Sequence, residues 1–435
     1  MSVIAKSRLA LTGGAKAVTS APPAWPVVDD EDVRRMEEVV RSRKWSWLGP
    51  NELAFCEEYA AFIGAKHCLC LANGTVTIQC ALQAVGVEPG DEVIVPGLTW
   101  VATAQAALDV GANVVLVDID PETLAIDPDA LRAAITPKTK AVVPVHLYGC
   151  MCDMDAIGEI AAEHNLKVVE DVAHQHGSRW RDKGAGAIGD VGSYSFQQSK
   201  VLTSGEGGAI TCNDDEVYRL IFALKQVGWV PDPDVEVEPG QAPKVVPGNH
   251  YGHNYRITEM QAALLRGGLS RLEEQTRRRE ESAAYLAEGL DRIAGPLRAV
   301  KRDPRVTRQA YYCMTLYFDP AQAEGVTKSE YLPALQAEGC AFNGGYAPVY
   351  RNPLLNLDDR TSPVPYRESG TIQDYADLRL PNVERAVNET AILLSHTHLL
   401  GERAYLDQVL DGIAKVNDNL PSVREHFASK RENAG

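Results

Sequence analysis

The sequence predicts an α/β fold, with a mostly parallel central sheet in a large domain and a smaller α+β domain at the C-terminal end. The chain has 435 residues, which exceeds the usual size of a single hydrophobic core, so we expect two domains. Between residues 67 and 196, short apolar runs alternate with helix-compatible segments, a pattern typical of a parallel sheet covered on both faces. The predicted strands are residues 67–72, 92–96, 113–118, 140–145, 166–170 and 192–196.

Helical patterns separate and flank these strands. Asp29 and Asp30 are placed to cap a first helix, and a second helix precedes the first strand. A long helical pattern over residues 257–290 leads out of the large domain towards a strand at 311–318. The other predicted helices are residues 75–86, 101–110, 128–134, 153–164, 326–338 and 402–415.

The segments outside the periodic patterns give the predicted domain boundaries. The proline-rich passage 230–250 is expected to be a loop without regular structure. The end of the chain is polar, and we expect it to fray. The predicted units are an N-terminal arm (1–28), a large domain (29–270), a small C-terminal domain (271–420) and a polar tail (421–435).

Composition excludes several classes of protein. The net charge of −16 argues against binding to nucleic acid or to an anionic membrane surface, because both need a basic surface. No apolar run approaches the length of about 18 residues needed to span a bilayer, and the N-terminal residues lack the apolar core of a signal peptide. The nine cysteines include no C-x-x-C pair, so we expect a reduced cytoplasmic protein without a metal site.

The ends of the predicted strands are the candidate positions for a functional site. In open parallel sheets, ligands bind at the carboxyl ends of the strands. This rule selects four segments before any chemistry is considered: residues 73–75, 97–100, 171–176 and 195–200.

The first of these segments, Asn73-Gly74-Thr75, ends a strand and opens a helix. Free N–H groups and the helix dipole at such a position favour a phosphate group, and Thr75 adds a hydroxyl. Ordinary N-capping by Asn73 or Thr75 explains the same residues equally well. The segment by itself leaves both interpretations open.

The second and third segments carry an aromatic residue and a carboxylate. Trp100 can lie on a planar ring, although an aromatic residue there is more often part of the core. Asp171 closes a very apolar strand, where a carboxylate is costly unless it meets a cation or several donors; a capping role is the alternative. Ala173 lies two residues on and leaves room beside that carboxylate. The nearby histidines, His174 and His176, have no further ligands at metal-binding spacing.

The fourth segment carries one lysine, Lys200, between a strand end and a glycine-rich turn. Most lysines are solvated surface charges, but a desolvated lysine amine forms Schiff bases with carbonyl compounds. A planar ring with a phosphate, a basic nitrogen and an aldehyde would use all four segments together. Pyridoxal 5′-phosphate has these groups, and its chemistry needs a lysine and an acidic partner.

Six motifs in this order resemble the DegT/DnrJ/EryC1/StrS aminotransferases, which are pyridoxal-phosphate-dependent enzymes of fold type I. The resemblance covers roughly residues 25–415 and implies fold type I for this chain. The motifs are NGT (73–75), VPGLTWVATAQA (95–106), PVHLYG (144–149), VVEDVAHQHG (168–177), GSYSFQQSKVLTSGEGGAI (192–210) and HNYRITEMQAAL (253–264).

The resemblance implies a role for each matching residue. It implies that Lys200 is the lysine that bonds to the cofactor aldehyde and that Asp171 pairs with the pyridinium nitrogen. Trp100 would stack on the ring with Ala173 on the other face. His174 stands where many members have a Gln that contacts the phenolic oxygen. The implied phosphate ligands are Gly74, Thr75, Ser195 and, from a neighbouring subunit of a homodimer, Asn254.

Within the family, the segment SFQQSK is similar to the branch that aminates cyclitol ketones of the scyllo-inosose and 2-deoxy-scyllo-inosose type. This implies L-glutamine as amino donor and a place in aminocyclitol or aminoglycoside biosynthesis. The 3-amino-5-hydroxybenzoate synthases are close relatives of this branch. The predicted substrate-binding residues are Gln197, Arg256, Tyr346 and His398.

Other functions remain open at this point. An aminotransferase acting on a nucleotide-linked keto sugar, or a dehydratase or lyase using the same cofactor, would keep most of these residues. The retained lysine favours amino transfer over the family's dehydrases, many of which have a histidine in place of Lys200. A non-catalytic homologue is disfavoured because the whole set of site residues is present. A nicotinamide dehydrogenase is disfavoured because no G-x-G-x-x-G follows the first strand.

Overall fold

A seven-stranded sheet forms the centre of the molecule in a computed structural model, which describes residues 8–238, 240–356 and 373–432. Some predicted segments lie partly outside these residues, at 1–7, 239, 357–372 and 433–435. The strands are β1 (His67–Leu71), β2 (Glu92–Pro96), β3 (Asn113–Val117), β4 (Thr139–Val142), β5 (Lys167–Asp171), β6 (Arg179–Trp180), β7 (Lys183–Gly184), β8 (Val191–Ser195), β9 (Gly208–Cys212), β10 (Trp229–Pro231), β11 (Val245–Pro247), β12 (Leu297–Ala299), β13 (Val306–Arg308), β14 (Cys313–Phe318), β15 (Phe342–Asn343) and β16 (Ala391–Ser395).

The helices follow the predicted alternation with the strands. Asp29 caps the first helix, as predicted, and a capping box of Thr258 and Gln261 begins the longest one. The α-helices are α1 (Asp30–Ser42), α2 (Pro50–Ile63), α3 (Gly74–Ala84), α4 (Ala102–Asp109), α5 (Pro128–Ala133), α6 (Met154–His164), α7 (Asp215–Lys225), α8 (Glu259–Ile293), α9 (Lys328–Ala337), α10 (Pro381–Arg385), α11 (Arg403–Asn417) and α12 (Leu420–Glu432).

The central sheet has the order β1-β9-β8-β5-β4-β2-β3 and is mostly parallel, which confirms the predicted fold class. The one strand that runs against the others is β9, which pairs antiparallel with both β1 and β8. A glycine turn with Gly205 at φ +84° lies between β8 and β9, a backbone conformation that L side chains rarely adopt. Because β1 is antiparallel to β9, it runs in the same direction as β8, so its carboxyl end lies at the same edge of the sheet.

Apolar side chains cover both faces of this sheet. Residues of β2 and β3 are buried along their whole length, since helices cover them from both sides. One core contains Leu71, Val93 and Val114 with side chains of α3, and a second contains Cys70, Ile94 and Tyr194 with side chains of α2. These two cores fix the sheet and leave its carboxyl edge to carry the polar segments.

A second, four-stranded antiparallel sheet of order β12-β14-β16-β15 forms the C-terminal part, as the predicted α+β domain requires. Side chains of β14, α9 and α11 form its core. The predicted boundary at residue 270 falls within the continuous helix α8, which contacts both parts, so the division into residues 29–270 and 271–420 stays a prediction.

Described segments near both ends of the chain pack against the C-terminal part. Leu9 and Val18 of the predicted arm are buried in the core of the C-terminal part. The predicted frayed tail contains α12, in which Leu420 and Val423 are buried. These few apolar side chains hold the two segments against the C-terminal part, although most of the other residues in the segments are polar.

The proline-rich passage 230–250 was also predicted wrongly in part. Its ends belong to β10 and β11, which pair antiparallel with Val230 opposite Val246. Proline is compatible with such a ribbon because each strand has a free edge where a missing N–H costs nothing.

Among the described residues, no helix is long and apolar enough to cross a membrane. The same residues contain no group of three or more His, Cys, Asp or Glu side chains arranged to hold a metal ion. All nine cysteines carry free thiols.

Candidate active site

One cavity of about 730 Å³ lies at the carboxyl edge of the central sheet. Its large side is formed by residues that follow the ends of β1, β2, β5 and β8, and we call this side the strand-end wall. Tyr312 and Tyr346, from the C-terminal part, form the opposite side, which we call the C-terminal wall. The predicted site residues that line the cavity are Gly74, Thr75, Trp100, Asp171, Ala173, His174, Ser195, Gln197, Lys200 and Tyr346.

Asp171, the last residue of β5, is 5% exposed and turns its carboxylate into this cavity. Thr103 in the first turn of α4 donates a hydrogen bond of 2.8 Å to Oδ2, and the Ala173 N–H donates one of 3.1 Å to Oδ1. Burial raises the pKa of Asp171, while the bond from Thr103 opposes that rise. Two hydrogen bonds thus hold a buried carboxylate, with which no described residue forms an ion pair.

The residue before it, Glu170, faces the other side of the sheet, because side chains alternate along a strand. Its fully buried carboxylate accepts hydrogen bonds from the backbone N–H groups of Gly186, Ile188 and Gly189 at 2.7–2.9 Å. His146 lies 3.0 Å from the same carboxylate. Glu170 therefore ties the loop before β8 to β5, and this fixes the end of the strand at Asp171.

Lys200 lies in the loop between β8 and β9 and is 8% exposed. Burial lowers its pKa to about 8, because the apolar surroundings penalise the ammonium form, and the Asp171 carboxylate partly opposes this. A lysine with such a pKa is partly neutral near physiological pH. It can therefore act both as a nucleophile towards an aldehyde and as a proton acceptor.

The beginning of α3 provides a concave polar surface beside Ser195. Asn73 caps the helix by accepting hydrogen bonds from the N–H groups of Thr75 and Val76, at 3.1 and 3.0 Å. The N–H of Gly74 and the hydroxyl of Thr75 have no partner among the described residues, and a Cβ at Gly74 would come within 2.7 Å of the Ser195 Cβ. The structure thus combines N-capping by Asn73 with free donors where an anion can sit.

His174 has a defined tautomer in the wall of the cavity. The Tyr148 N–H donates a hydrogen bond of 3.1 Å to Nδ1, so the proton of the neutral ring is on Nε2. Burial lowers the pKa of His174 well below its usual value, which keeps the ring neutral. Nε2 lies 3.3 Å from the hydroxyl of Tyr346, so it presents a donor towards the cavity.

Trp100 lies at the mouth of the cavity, 58% exposed, with its ring centre 5.5 Å from that of Tyr346. Ala173 lines the same cavity and its small side chain leaves space beside Asp171. Apart from this tilted contact, the indole presents a large apolar face that stays exposed among the described residues. This is the arrangement expected of a residue that covers a planar ligand.

The C-terminal wall contains the residues that sequence analysis missed. The Tyr312 ring stacks on His174 with centres 3.9 Å apart, and the Lys200 amine lies 4.8 Å from the centre of the same ring. Behind it, His396 Nε2 lies 3.0 Å from the carbonyl oxygen of Ser199. Thr103 lies in the motif VPGLTWVATAQA and could have been found from it. His396 lies in a segment, residues 395–398, that resembles the family, although His398 was selected there, whereas nothing in the sequence around Tyr312 indicated a place in the site.

Three predicted residues lie outside this cavity. His398 lies beside Tyr405 in the C-terminal part, and the neighbouring His396 takes the place nearer Lys200. Arg256 donates to Gln226 at 3.1 Å and lies over Trp47, 4.9 Å from the ring centre. Asn254 is exposed and accepts a bond of 3.4 Å from the Arg256 N–H. Their predicted roles therefore stay predictions.

The residues of the strand-end wall fit pyridoxal phosphate. The free donors at Gly74, Thr75 and Ser195 suit a phosphate, and the Cβ-free surface of Gly74 leaves the room that it needs. Asp171 is buried and forms no ion pair with a described residue, and a protonated pyridine nitrogen would supply the missing positive charge. Lys200, buried with a lowered pKa, suits the aldehyde.

Comparisons with known proteins point to one family of aminotransferases. The sequence profile of the DegT/DnrJ/EryC1/StrS aminotransferase family matches residues 26–413. A solved structure of 3-amino-5-hydroxybenzoic acid synthase superposes with a TM-score of 0.77 at 32% identity, over 91% of this chain and 98% of that one. The fold and the family match therefore define the class of this protein as an aminotransferase.

Two relatives from Streptoalloteichus tenebrarius match over nearly the whole chain. A putative L-glutamine:3-amino-2,3-dideoxy-scyllo-inosose aminotransferase is 39% identical, over 96% of this chain and 100% of the relative. An L-glutamine:2-deoxy-scyllo-inosose aminotransferase is 38% identical, over 94% of this chain and 97% of the relative. The chain belongs to the DegT/DnrJ/EryC1/StrS aminotransferase family, and it is an aminotransferase.

Proposed function

We propose that this protein uses pyridoxal 5′-phosphate to move the amino group of L-glutamine to a cyclitol ketone of the scyllo-inosose type, in aminocyclitol or aminoglycoside biosynthesis. The observation that carries the proposal is the meeting of a buried Lys200, with a pKa of about 8, and a buried Asp171 in one cavity. The two substrates come from the names of the relatives that match 94–96% of the chain.

Each residue of the strand-end wall has a proposed place around the cofactor. Gly74, Thr75 and Ser195 would hold the phosphate, and Asp171 would hold the protonated pyridine nitrogen. Trp100 and Ala173 would cover the two faces of the ring, and the Nε2–H of His174 would donate to the phenolic oxygen. When bound, the cofactor accepts the electron pair left after a proton leaves the donor carbon.

The chain's own chemistry in this reaction is proton transfer by Lys200. Its neutral Nζ removes the proton from the Cα of the amino donor and returns a proton on the other side of the transferred nitrogen. Asp171 stays ionised and keeps the pyridine nitrogen protonated, which favours removal of the Cα proton. The acceptor ketone then uses the same groups in the reverse order, so we expect ping-pong kinetics.

The charges of the cavity favour a cyclitol over a nucleotide-linked sugar as the acceptor. Among the described residues that line it, Lys200 is the one lysine, and no arginine is present. A nucleotide diphosphate is usually bound by arginine or lysine, whereas a cyclitol needs polar groups without net charge. Such groups are supplied by Gln79, Gln105 and Gln197. Gln197 lies in the same loop as Lys200.

An assay with purified protein tests the acceptor. L-glutamine is supplied with scyllo-inosose, 2-deoxy-scyllo-inosose, 3-amino-2,3-dideoxy-scyllo-inosose or a keto sugar nucleotide, and the aminated product is measured by mass spectrometry. We expect a kcat/KM for one of the cyclitols at least about 10²-fold above that for the sugar nucleotide. A preference for the sugar nucleotide, or dehydration without amino transfer, contradicts the proposal in favour of the corresponding family function.

We also propose a homodimer in which Asn254 reaches the phosphate of the neighbouring site. Asn254 is exposed, as is Tyr251, three residues before it, and the exposed Trp47 lies against Arg256 of the same segment, 4.9 Å from its ring centre. Apolar surface of this kind is typical of subunit interfaces. Arg256, on the same segment, and His398 remain proposed substrate contacts. The nine free thiols support a cytoplasmic location.

Mixing two inactive variants tests the shared site. Lys200→Ala and Asn254→Ala proteins are each inactive or nearly so, and are mixed after reversible dissociation. If Asn254 acts across the dimer, each mixed dimer contains one intact site, and equal mixing restores about a quarter of the activity. If Asn254 acts within its own subunit, no mixed dimer contains an intact site and activity stays low, which would contradict the proposal.

A further inference from the structure

Tyr312, a residue of the C-terminal wall, touches both working groups of the opposite wall. Its ring lies parallel to the His174 imidazole, with an angle of 15° between the planes, and below the Lys200 amine at 4.8 Å from the ring centre. Its hydroxyl lies 3.0 Å from the Ser199 hydroxyl, one residue before the lysine. One side chain thus contacts the lysine, its loop and the histidine.

The backbone that carries Tyr312 is held in an unusual conformation. Tyr311 has a φ of +53°, a left-handed value that is strained for a non-glycine residue. Such a conformation persists only when the surroundings fix it, and it is found most often at functional sites. The ring of Tyr312 is therefore placed by its backbone as well as by its neighbours.

Four separate contacts fix this segment from both sides. The buried Arg279 of α8 donates a 2.8 Å hydrogen bond to the Ala310 carbonyl, and the Ser178 hydroxyl accepts one of 2.8 Å from the Ala310 N–H.

The other two contacts lie at Tyr312 and Cys313. The His396 N–H donates to the Tyr312 carbonyl at 2.9 Å. The Cys313 N–H donates to the Tyr148 carbonyl at 3.3 Å. These bonds come from the central part and from the C-terminal part alike.

We propose that Tyr312 is a positioning residue of the active site, which holds the Lys200 amine and the His174 ring at their working positions. A released lysine amine needs a place to stay while it carries a proton, and the face of a tyrosine ring attracts an ammonium group. The stacked ring also keeps His174 from turning, so that its Nε2–H stays directed at the cavity. The inference rests on the proposed function, since it assigns Lys200 and His174 their roles.

The charge of Lys200 depends on several facing groups, which a test has to keep constant. Asp171 at the end of β5 favours the ammonium form, as does Cys313 of β14. Beyond them, the histidines His174, His176 and His396 lie close enough for Lys200 to oppose their protonation. None of these groups is itself substituted in a Tyr312 variant.

Two substitutions separate the ring from its hydroxyl. Tyr312→Phe keeps the ring and loses the bond to Ser199, whereas Tyr312→Leu loses the ring as well. Tyr317→Leu is the matched control, because Tyr317 belongs to β14, which begins one residue after Tyr312, and has Arg298 over its ring at 4.2 Å, away from the cavity. Far-ultraviolet circular dichroism and the thermal midpoint show whether each variant is folded.

The first measurement is the pKa of Lys200 in the protein without cofactor, from its rate of acetylation by acetic anhydride at a series of pH values, followed by peptide mass spectrometry. We expect a value near 8 in the wild type, in Tyr312→Phe and in Tyr317→Leu. In Tyr312→Leu the value should fall by about half a pH unit or more, because the ring no longer stabilises the ammonium form. An unchanged pKa of Lys200 in Tyr312→Leu would overturn the proposed role of the ring.

The second measurement is the rate of amino transfer. Tyr312→Leu should lower kcat by about tenfold or more with little change in the KM for the donor, because positioning acts on the reacting geometry. If Tyr312→Leu does not fold, Tyr312→Phe and Ser199→Ala test the hydroxyl. Tyr312→Phe should lower kcat, and Ser199→Ala should lower it at least as much, because the Ser199 hydroxyl also donates a 2.7 Å hydrogen bond to Gln197. The double variant should lower kcat no further than Ser199→Ala. Additive losses would overturn the proposal.

The two measurements also separate this inference from the proposed function. Acetylation of Lys200 needs neither cofactor nor substrate, so it reports on the Tyr312 contact even if the wild type transfers no amino group. Absence of transfer in the wild type would remove the proposed function and leave the pKa comparison as the test of Tyr312.

Discussion

The two walls of the cavity are built in different ways. The strand-end wall takes its residues from loops that follow parallel strands, so the direction of the strands brings Gly74, Asp171 and Lys200 together. The C-terminal wall takes Tyr312 and Tyr346 from a separate antiparallel sheet and the segments beside it. The first wall carries groups for binding a cofactor and moving protons, while the second covers and aligns them. Substitutions should therefore affect the chemical step most on the first wall.

Replacing Lys200 should have the largest effect. Lys200→Ala removes both the group that bonds to the cofactor aldehyde and the base, so we expect turnover to fall by about 10⁴-fold. Steady-state assay with L-glutamine and the preferred cyclitol measures the loss, with Lys183→Ala, an exposed lysine of β7, as control. A rate within tenfold of the wild type would show that Lys200 is not the catalytic lysine.

Asp171→Asn comes next. The amide has nearly the same shape but cannot hold a protonated pyridine nitrogen, so we expect the variant to keep the cofactor and lose about 10²-fold in kcat. The absorbance of the bound cofactor and single-turnover kinetics with the donor measure the two effects. Wild-type rates in the presence of bound cofactor would exclude the pairing with the ring nitrogen.

Thr103→Val should cost about tenfold, since it removes one charge-assisted hydrogen bond from Asp171. The pH dependence gives the sharper result. Burial already raises the pKa of Asp171 and the Thr103 bond opposes the rise, so the variant should raise the pKa further. Because Asp171 works as the carboxylate, the acid limb of kcat/KM should move to higher pH. Thr315→Val, a buried threonine of β14 away from Asp171, should leave the limb in place.

Glu338→Gln should have the smallest effect on the rate and a large effect on stability. Glu338 pairs with Lys415 at 2.8 Å in a fully buried position and accepts bonds from the N–H groups of Ala10 and Ala17, which tie the N-terminal segment to the C-terminal part. Breaking a buried ion pair from one side costs about 3 kcal/mol or more. Urea unfolding measures it, with the exposed Glu324→Gln as control. An equal free energy of unfolding in Glu338→Gln and the wild type would show that the Glu338–Lys415 ion pair does not stabilise the fold.

The predicted and missed parts of the site follow the same division. Asp171, Ser195 and Lys200 could be placed from the sequence, because the ends of parallel strands meet at one edge wherever the strands are identified correctly. Tyr346 was suggested only by resemblance, and Tyr312 had no signal at all. Its position depends on the left-handed Tyr311 and on hydrogen bonds from distant residues, which no local pattern encodes.

Errors in the fold prediction have a similar cause. The tail was predicted from its polarity and the arm from its lack of periodicity, yet Leu9, Val18, Leu420 and Val423 are buried in the core of the C-terminal part. The strand β9 was overlooked as a separate element because its short apolar run follows a glycine turn. His396, and not the predicted His398, lies beside the lysine loop, because β16 ends at Ser395 and the chain turns into a short 3₁₀ helix at His398–Leu400.

The sequence by itself determined the alternation of strands and helices, the segments at the strand ends, and the lysine and carboxylate that define the chemistry. These are local properties, because apolar periodicity and short motifs lie within a few residues of one another. The tertiary structure alone decided that Tyr312 lies against Lys200 and His174, and that Asn254, Arg256 and His398 stay outside the cavity of their own chain. Contacts of this kind join residues more than 100 positions apart, and only the packing of the two sheets brings them together.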